Sequence, residues 1–225
     1  MGNPDPTDPE APCGPRWQRR PDARREELIE AAVKVFGEMG FAGTRLEEVA
    51  QRAGVSKGTV YLYFDSKESL FQEMVRAKVV SNFAQGDALL RNEQLSAREM
   101  LVRFIRSTWE ILRQPERARL ALLVNSELRN FPELVRFYVD EVILRSRRIV
   151  RAILDLGVQR GEFRPLRHDY AVRGVTSLLV HGTIYQQFFG PYDSEALPDD
   201  EVVNGIIELV LEGVLVRDDQ AGRDS

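Results

Sequence analysis

From Asp22 to Val216 the apolar residues recur at helical spacing almost without a break, and no run alternates long enough to make a strand. That periodicity leaves only an all-α fold. Leu28, Ala31, Ala32, Val35, Phe36 and Met39 share one face of a helix over 22–39 that stops at Gly40. Leu46, Val49, Ala50 and Ala53 repeat the pattern over a shorter helix, with Thr44 and Glu47 as its capping box and Gly54 as its stop. Ser56 caps a very short third helix, 57–63, and Asp65 with Glu68 caps a fourth running from about 66 to 91. Five further segments follow at 96–113, 115–129, 132–160, 168–190 and 199–216, three of them opened by Pro115, Pro132 and Pro198.

Composition narrows the function classes. The 225 residues are 43% hydrophobic and 29% charged, enough for a sizeable core. No uninterrupted apolar stretch is long enough to span a membrane, and the opening residues lack the apolar block of a secretory signal, so a cytoplasmic protein is expected. One cysteine, Cys13, excludes an internal disulfide framework, and with two histidines it cannot build a Cys/His zinc cluster; no cofactor is expected. The net charge of −4 is not that of a protein that coats nucleic acid. The distribution says more: Arg16, Arg19, Arg20, Arg24 and Arg25 make one end locally basic. The expected organisation is a Pro-rich polar arm over 1–21, a helix-turn-helix domain over 22–68, a larger helical domain over 69–216 and a disordered tail over 217–225.

The informative stretch is TRLEEVAQRAGVSKGTVYLYFDSK, residues 44–67. Two short helices joined by Gly54, Val55 and Ser56 fit a helix-turn-helix, whose turn sets the helices at a steep angle. Ala50 permits a close crossing, while Val55, Val60 and Phe64 face inward. Lys57, Gly58, Thr59, Tyr61, Leu62 and Tyr63 are then left around the exposed sides of the second helix. Its amino end favours a phosphate, Lys57 reaches a phosphate or a guanine edge, and Thr59 and Tyr61 supply hydroxyls. Gly58 lets the backbone approach DNA closely. Lys67 sits in a first helical turn, the wrong end for a cation, which a phosphate partner would explain.

Residues 40–71, GFAGTRLEEVAQRAGVSKGTVYLYFDSKESLF, resemble the TetR family of one-component transcriptional regulators. The resemblance implies an N-terminal three-helix operator-binding domain and a C-terminal helical domain that binds a small molecule and dimerises. It carries DNA contacts onto Thr44 or Arg45, onto Lys57, Gly58, Thr59, Tyr61 and Tyr63, and onto Lys67. Leu62 departs from the pattern, since many relatives are polar there. Residues 127–143 also look like the C-terminal domains of AcrR-type members.

The function expected is therefore a sequence-specific, homodimeric repressor released from a palindromic operator by a small, mainly hydrophobic or aromatic effector. Phe104, Trp109, Phe137, Tyr138 and Val142 are the candidate ligand-binding residues, because large apolar groups with one or two polar handles suit such a site. No inward arginine cluster is evident, although Arg103 and Arg106 can approach an anionic end. The resemblance implies dimerisation through helices 168–190 and 199–216, and the apolar positions of the second, Ile207 and Val210 among them, exceed what one subunit is expected to cover. His181 reads as an interface or core histidine. Two rivals stand: a DNA-bound partner-recruiting protein without a ligand, and a helical enzyme. The second lacks a nucleophile beside either histidine.

Overall fold

The computed structural model describes residues 21–215. The arm, with Arg16, Arg19 and Arg20, and the tail lie outside the described residues. Among those described, the chain is helical throughout, with a single isolated antiparallel bridge between Phe163 and Leu215. The helices are α1 (Pro21–Gly43), α2 (Leu46–Arg52), α3 (Lys57–Tyr61), α4 (Lys67–Lys78), α5 (Phe83–Leu90), α6 (Ala97–Leu112), α7 (Pro115–Ser126), α8 (Pro132–Tyr138), α9 (Leu144–Gln159), α10 (His168–Phe188) and α11 (Asp199–Val214).

Several boundaries differ from the sequence expectation, each for a local reason. Gly40 breaks α1 with φ 73 and ψ 175, a left-handed conformation open to glycine, and one extra turn follows to Gly43. Arg45, not Thr44, is the N-cap of α2: the Glu48 carboxylate accepts from the Arg45 backbone N–H at 2.7 Å, the acidic half of a capping box one residue later than expected. The end of α2 is a Schellman motif, with Val55 N–H donating to Ala50 C=O at 3.0 Å and Gly54 N–H to Gln51 C=O at 3.1 Å. Ser56 caps α3 as expected, its hydroxyl accepting from Thr59 N–H at 3.2 Å. Ser66 paired with Ser69, rather than Asp65 with Glu68, caps α4. The expected long fourth helix is two helices, because Val79 at φ −111, ψ −57 leads into a 3-10 turn over Val80–Asn82. The segment 132–160 is a single rod interrupted by a π-helical turn, Val139–Ile143, between α8 and α9.

Two apolar cores organise the molecule. The first joins the inner faces of α1 to α4 to Leu120 and Leu123 of α7, to Leu128, and to Leu134 and Val142 on the α8 side. The second packs α6 (Met100, Leu101, Phe104, Ile105, Trp109) against α9, α10 and α11. Helix α7 runs between them, touching α1 on one side and α10 on the other. Buried positions of α11 (Val203, Ile206, Ile207, Val210, Leu211, Val214) all enter the second core of their own chain. Ile207 and Val210 are therefore covered within one subunit, contrary to the sequence expectation, and Leu209, 60% exposed, is the apolar residue that α11 turns outward.

Candidate DNA-binding and effector site

The headpiece is assembled from its buried residues outward. Val49 and Ala50 of α2 and Val60 and Phe64 of the α3 segment are buried, so Lys57, Gly58, Tyr61 and Leu62 are left exposed on the outer surface of α3. Leu62 is the most exposed of these, at 82%, and offers no hydrogen-bonding group. Thr59 is partly covered and its hydroxyl shares a 2.9 Å hydrogen bond with Ser56. Tyr63 is partly buried against the first core and beside Phe64. Gly58 has no contact beyond Ser56 Oγ, 3.8 Å from where a Cβ would stand, so this surface is open to close approach.

The cations of this surface have partners within the chain. Lys57 bonds the Glu47 carboxylate across the helix-turn-helix and lies 5.6 Å from the Tyr61 ring centre. That hydrogen bond holds the Glu47 carboxyl below the usual carboxylate range and raises the Lys57 ammonium. Any phosphate or base that takes Lys57 must compete with Glu47. Arg52 grips Glu38 through both terminal nitrogens, tying α2 back to α1 and lowering the Glu38 carboxyl. Arg24 pairs with Glu27 and Arg25 with Glu73, so these two arginines of the basic cluster are engaged inside the headpiece.

One expected DNA contact needs correction, and the placement of another has an internal explanation. Thr44 is only 2% exposed, and its hydroxyl donates to the Gly40 carbonyl at 2.6 Å; it closes the α1–α2 turn and presents nothing to solvent. Arg45 beside it is exposed. Lys67 needs no phosphate to explain its place in a first helical turn. Its ammonium donates to the carbonyls of Phe41 at 2.8 Å and Ala42 at 3.3 Å and sits 4.6 Å from the Phe41 ring centre. The opposite side of the same turn is held by Glu127, whose carboxylate accepts from the Phe41 and Ala42 N–H groups at 2.8 and 3.3 Å. A Cβ on Gly40 would stand 2.2 Å from that carboxylate and displace it from the turn, while the positive φ by itself favours glycine there. Phe41 itself is fully buried among Phe36, Phe71 and Phe131. The link into the helix-turn-helix is thus clamped between α4 and the end of α7.

The five candidate ligand-binding residues do not meet. Phe104 and Trp109 belong to the second core, whereas Phe137, Tyr138 and Val142 pack against the first. At about 1.5 Å per residue the rod through α8 and α9 is about 40 Å long, so its two ends serve different cores. Tyr138 is partly buried against the first core, and that burial pushes its hydroxyl up to about 12 against the pull of nearby Arg117. Arg103 and Arg106 are exposed, and Arg106 donates to Asn204 at 2.8 Å.

Arginines gather elsewhere. Arg147, Arg148 and Arg151 of α9 and Arg173 of α10 line a groove of about 470 Å³, opposed by Asp140 and Asp169. Arg151 is paired with Asp169, and Arg147 buries an Nε–H that has no acceptor. The sequence alone does not reveal this cluster, because Arg173 joins it from the next long helix, 22 residues beyond Arg151. The run LRSRRIVR, in which basic residues recur around one turn of helix, was the available signal. The π-helical turn beside the groove is a feature that occurs often at functional sites.

No helix of the described residues is long and apolar enough to cross a membrane. Residues 28–74 match the family model for bacterial regulatory proteins of the tetR family, and residues 93–207 match the tetracyclin repressor-like C-terminal domain. The chain is 28% identical to the fatty acid metabolism regulator protein of Bacillus subtilis over 203 residues, 88% of this chain and 97% of that protein. It is 27% identical to the transcriptional repressor KstR2 of Mycolicibacterium smegmatis, over 89% of this chain and 95% of that one. The crystal structure of Bacillus subtilis FadR in complex with stearoyl-CoA superposes with a TM-score of 0.71 at 25% identity, covering 84% of this chain and 98% of that one. These relatives are regulators and repressors rather than enzymes, and the stearoyl-CoA complex supports a ligand-responsive protein over a partner recruiter without a ligand. The chain belongs to the TetR family and is a ligand-responsive, DNA-binding transcriptional repressor with an N-terminal helix-turn-helix.

Proposed function

We propose that two copies of the chain pair through α10 and α11, read a two-fold operator in the cytoplasm with α3, and release it on binding an amphipathic anion of the acyl-CoA kind. The observation that carries the effector class is the arginine-lined groove between α9 and α10. Its surplus of guanidinium groups, one with a buried N–H lacking an acceptor, suits phosphate oxygens better than an uncharged aromatic molecule. The B. subtilis relative crystallised with stearoyl-CoA supports a long apolar tail on that head.

For DNA, Arg45, Lys57, Gly58 and Tyr61 are the exposed candidates, with Thr59 and Tyr63 half-covered beside them. The two recognition helices must lie about 34–36 Å apart to enter successive major grooves. A pairing face is available: α10 turns Tyr170, Leu178, His181, Tyr185 and Phe189 outward and α11 turns Leu209 outward, with Gly174, Gly205 and Gly213 open to close approach.

The effector reading is tested by titrating an operator complex with stearoyl-CoA, CoA and stearate in parallel. Stearoyl-CoA is expected to release DNA at the lowest concentration, and Arg148→Gln to raise that concentration several-fold. Release by stearate as readily as by stearoyl-CoA would remove the groove from the account. For assembly, Leu209→Asp is expected to sediment as a monomer where the parent is a dimer; a dimeric variant would move the interface off α11.

A further inference from the structure

A second pocket, of about 210 Å³, lies in the seam between the headpiece and the C-terminal helices, walled by α1, α4 and α7. Its apolar lining is Val33, Phe36, Met74, Leu120 and Leu123. Its charged lining is Glu30, Lys78, Glu116 and Arg117. Lys78 and Glu30 are bonded to each other and cancel. Arg117 is different: its Nη1 is buried and has no hydrogen-bond partner. A guanidinium stays charged, and a buried donor without an acceptor is costly, so such a group persists where something pairs with it. The Tyr138 hydroxyl near it, pushed up to about 12 by burial, remains a neutral donor at any physiological pH.

We propose that this seam is a second ligand site, distinct from the α9–α10 groove, and that it takes a small monocarboxylate whose head pairs with Arg117 and whose body fills the apolar walls.

Charge and size select that class. Glu116 also faces Arg117 and would repel a phosphate dianion more than a single carboxylate, while the amino end of α7 favours an anion. The volume of about 210 Å³ equals about seven waters at about 30 Å³ each, and pockets for drug-sized ligands start near 300 Å³. An aromatic or short-chain acid matches that volume. The site has a route to DNA, because the far end of α7 leads into Glu127 and its clamp on the turn before α2. An occupant that shifts α7 against α1 changes how the helix-turn-helix is seated.

Benzoate is the probe, with benzamide as its neutral isostere, measured on the full chain by calorimetry and thermal shift. Benzoate is expected to bind and raise the melting temperature, and benzamide to bind at least roughly tenfold more weakly, as loss of a charged hydrogen bond dictates. Arg117→Met should bind benzoate roughly tenfold or more weakly while melting no lower than the parent, because it removes an unpaired buried donor. Arg148→Gln, far from the seam, should retain it. Equal benzoate affinity in parent and Arg117→Met, no binding of benzoate or hexanoate to the parent, or loss of benzoate binding in Arg148→Gln would each overturn the proposal.

Discussion

The headpiece and the second core are built from the same kind of helix but are specified over different ranges. In the headpiece the controlling contacts are short: Ser56 to Thr59, Ser66 to Ser69, Val55 back to Ala50, Gly54 back to Gln51. Each fixes a boundary within one turn, so α2 and α3 meet at the required angle before anything distant helps. In the second core the controlling contacts are long. Trp109 of α6 lies over Gly182 of α10, 73 residues along the chain, where a Cβ would stand 3.1 Å from the ring. A recognition surface assembled by local caps can stay constant while the helices behind it diverge. That fits a family in which the headpiece is shared and the ligand differs.

Between the two regions lies the Phe41 turn, which belongs to both. The largest expected effects test whether it links them. Phe41→Ala and Trp109→Ala each empty a fully buried aromatic site and should cost about 3–5 kcal/mol in denaturant unfolding. Only Phe41→Ala should also weaken operator binding of the folded fraction at low temperature, because only Phe41 packs against both α4 and Phe131. If Trp109→Ala weakens DNA binding as much, the regions are not separable in this way.

The next effect is confined to the recognition surface. Lys57→Ala should lose about 1–3 kcal/mol of operator affinity with relaxed specificity at one base, and the melting temperature should hardly move, since Lys57 is exposed. An unchanged affinity in a folded variant would remove α3 as the reader.

The smallest effect separates structure from DNA contact at Lys67. Lys67→Ala should cost about 1 kcal/mol of stability through the lost hydrogen bonds to Phe41 and Ala42, and leave the salt dependence of operator binding as it was. A salt slope lower by about one would show that the lysine also meets a phosphate.

The helical class, the helix-turn-helix and most helix boundaries were legible in the order of residues, because periodicity, caps and positive-φ glycines act within a few residues. The sequence pattern misplaced the caps of α2 and α4 by one residue, where Thr44 competed with Arg45 and Asp65 with Ser66 for the same role. Tertiary structure alone decided the rest. It buried Thr44, turned Lys67 inward onto carbonyls, covered Ile207 and Val210 within one chain, and parted Phe104 and Trp109 from Tyr138. It also gathered Arg147, Arg148, Arg151 and Arg173 into one groove and left Arg117 unpaired in the seam. The physical reason is range: which side of a helix meets a partner is written in its period, but which partner it meets depends on how long rods such as α8–α9 lie across the whole molecule.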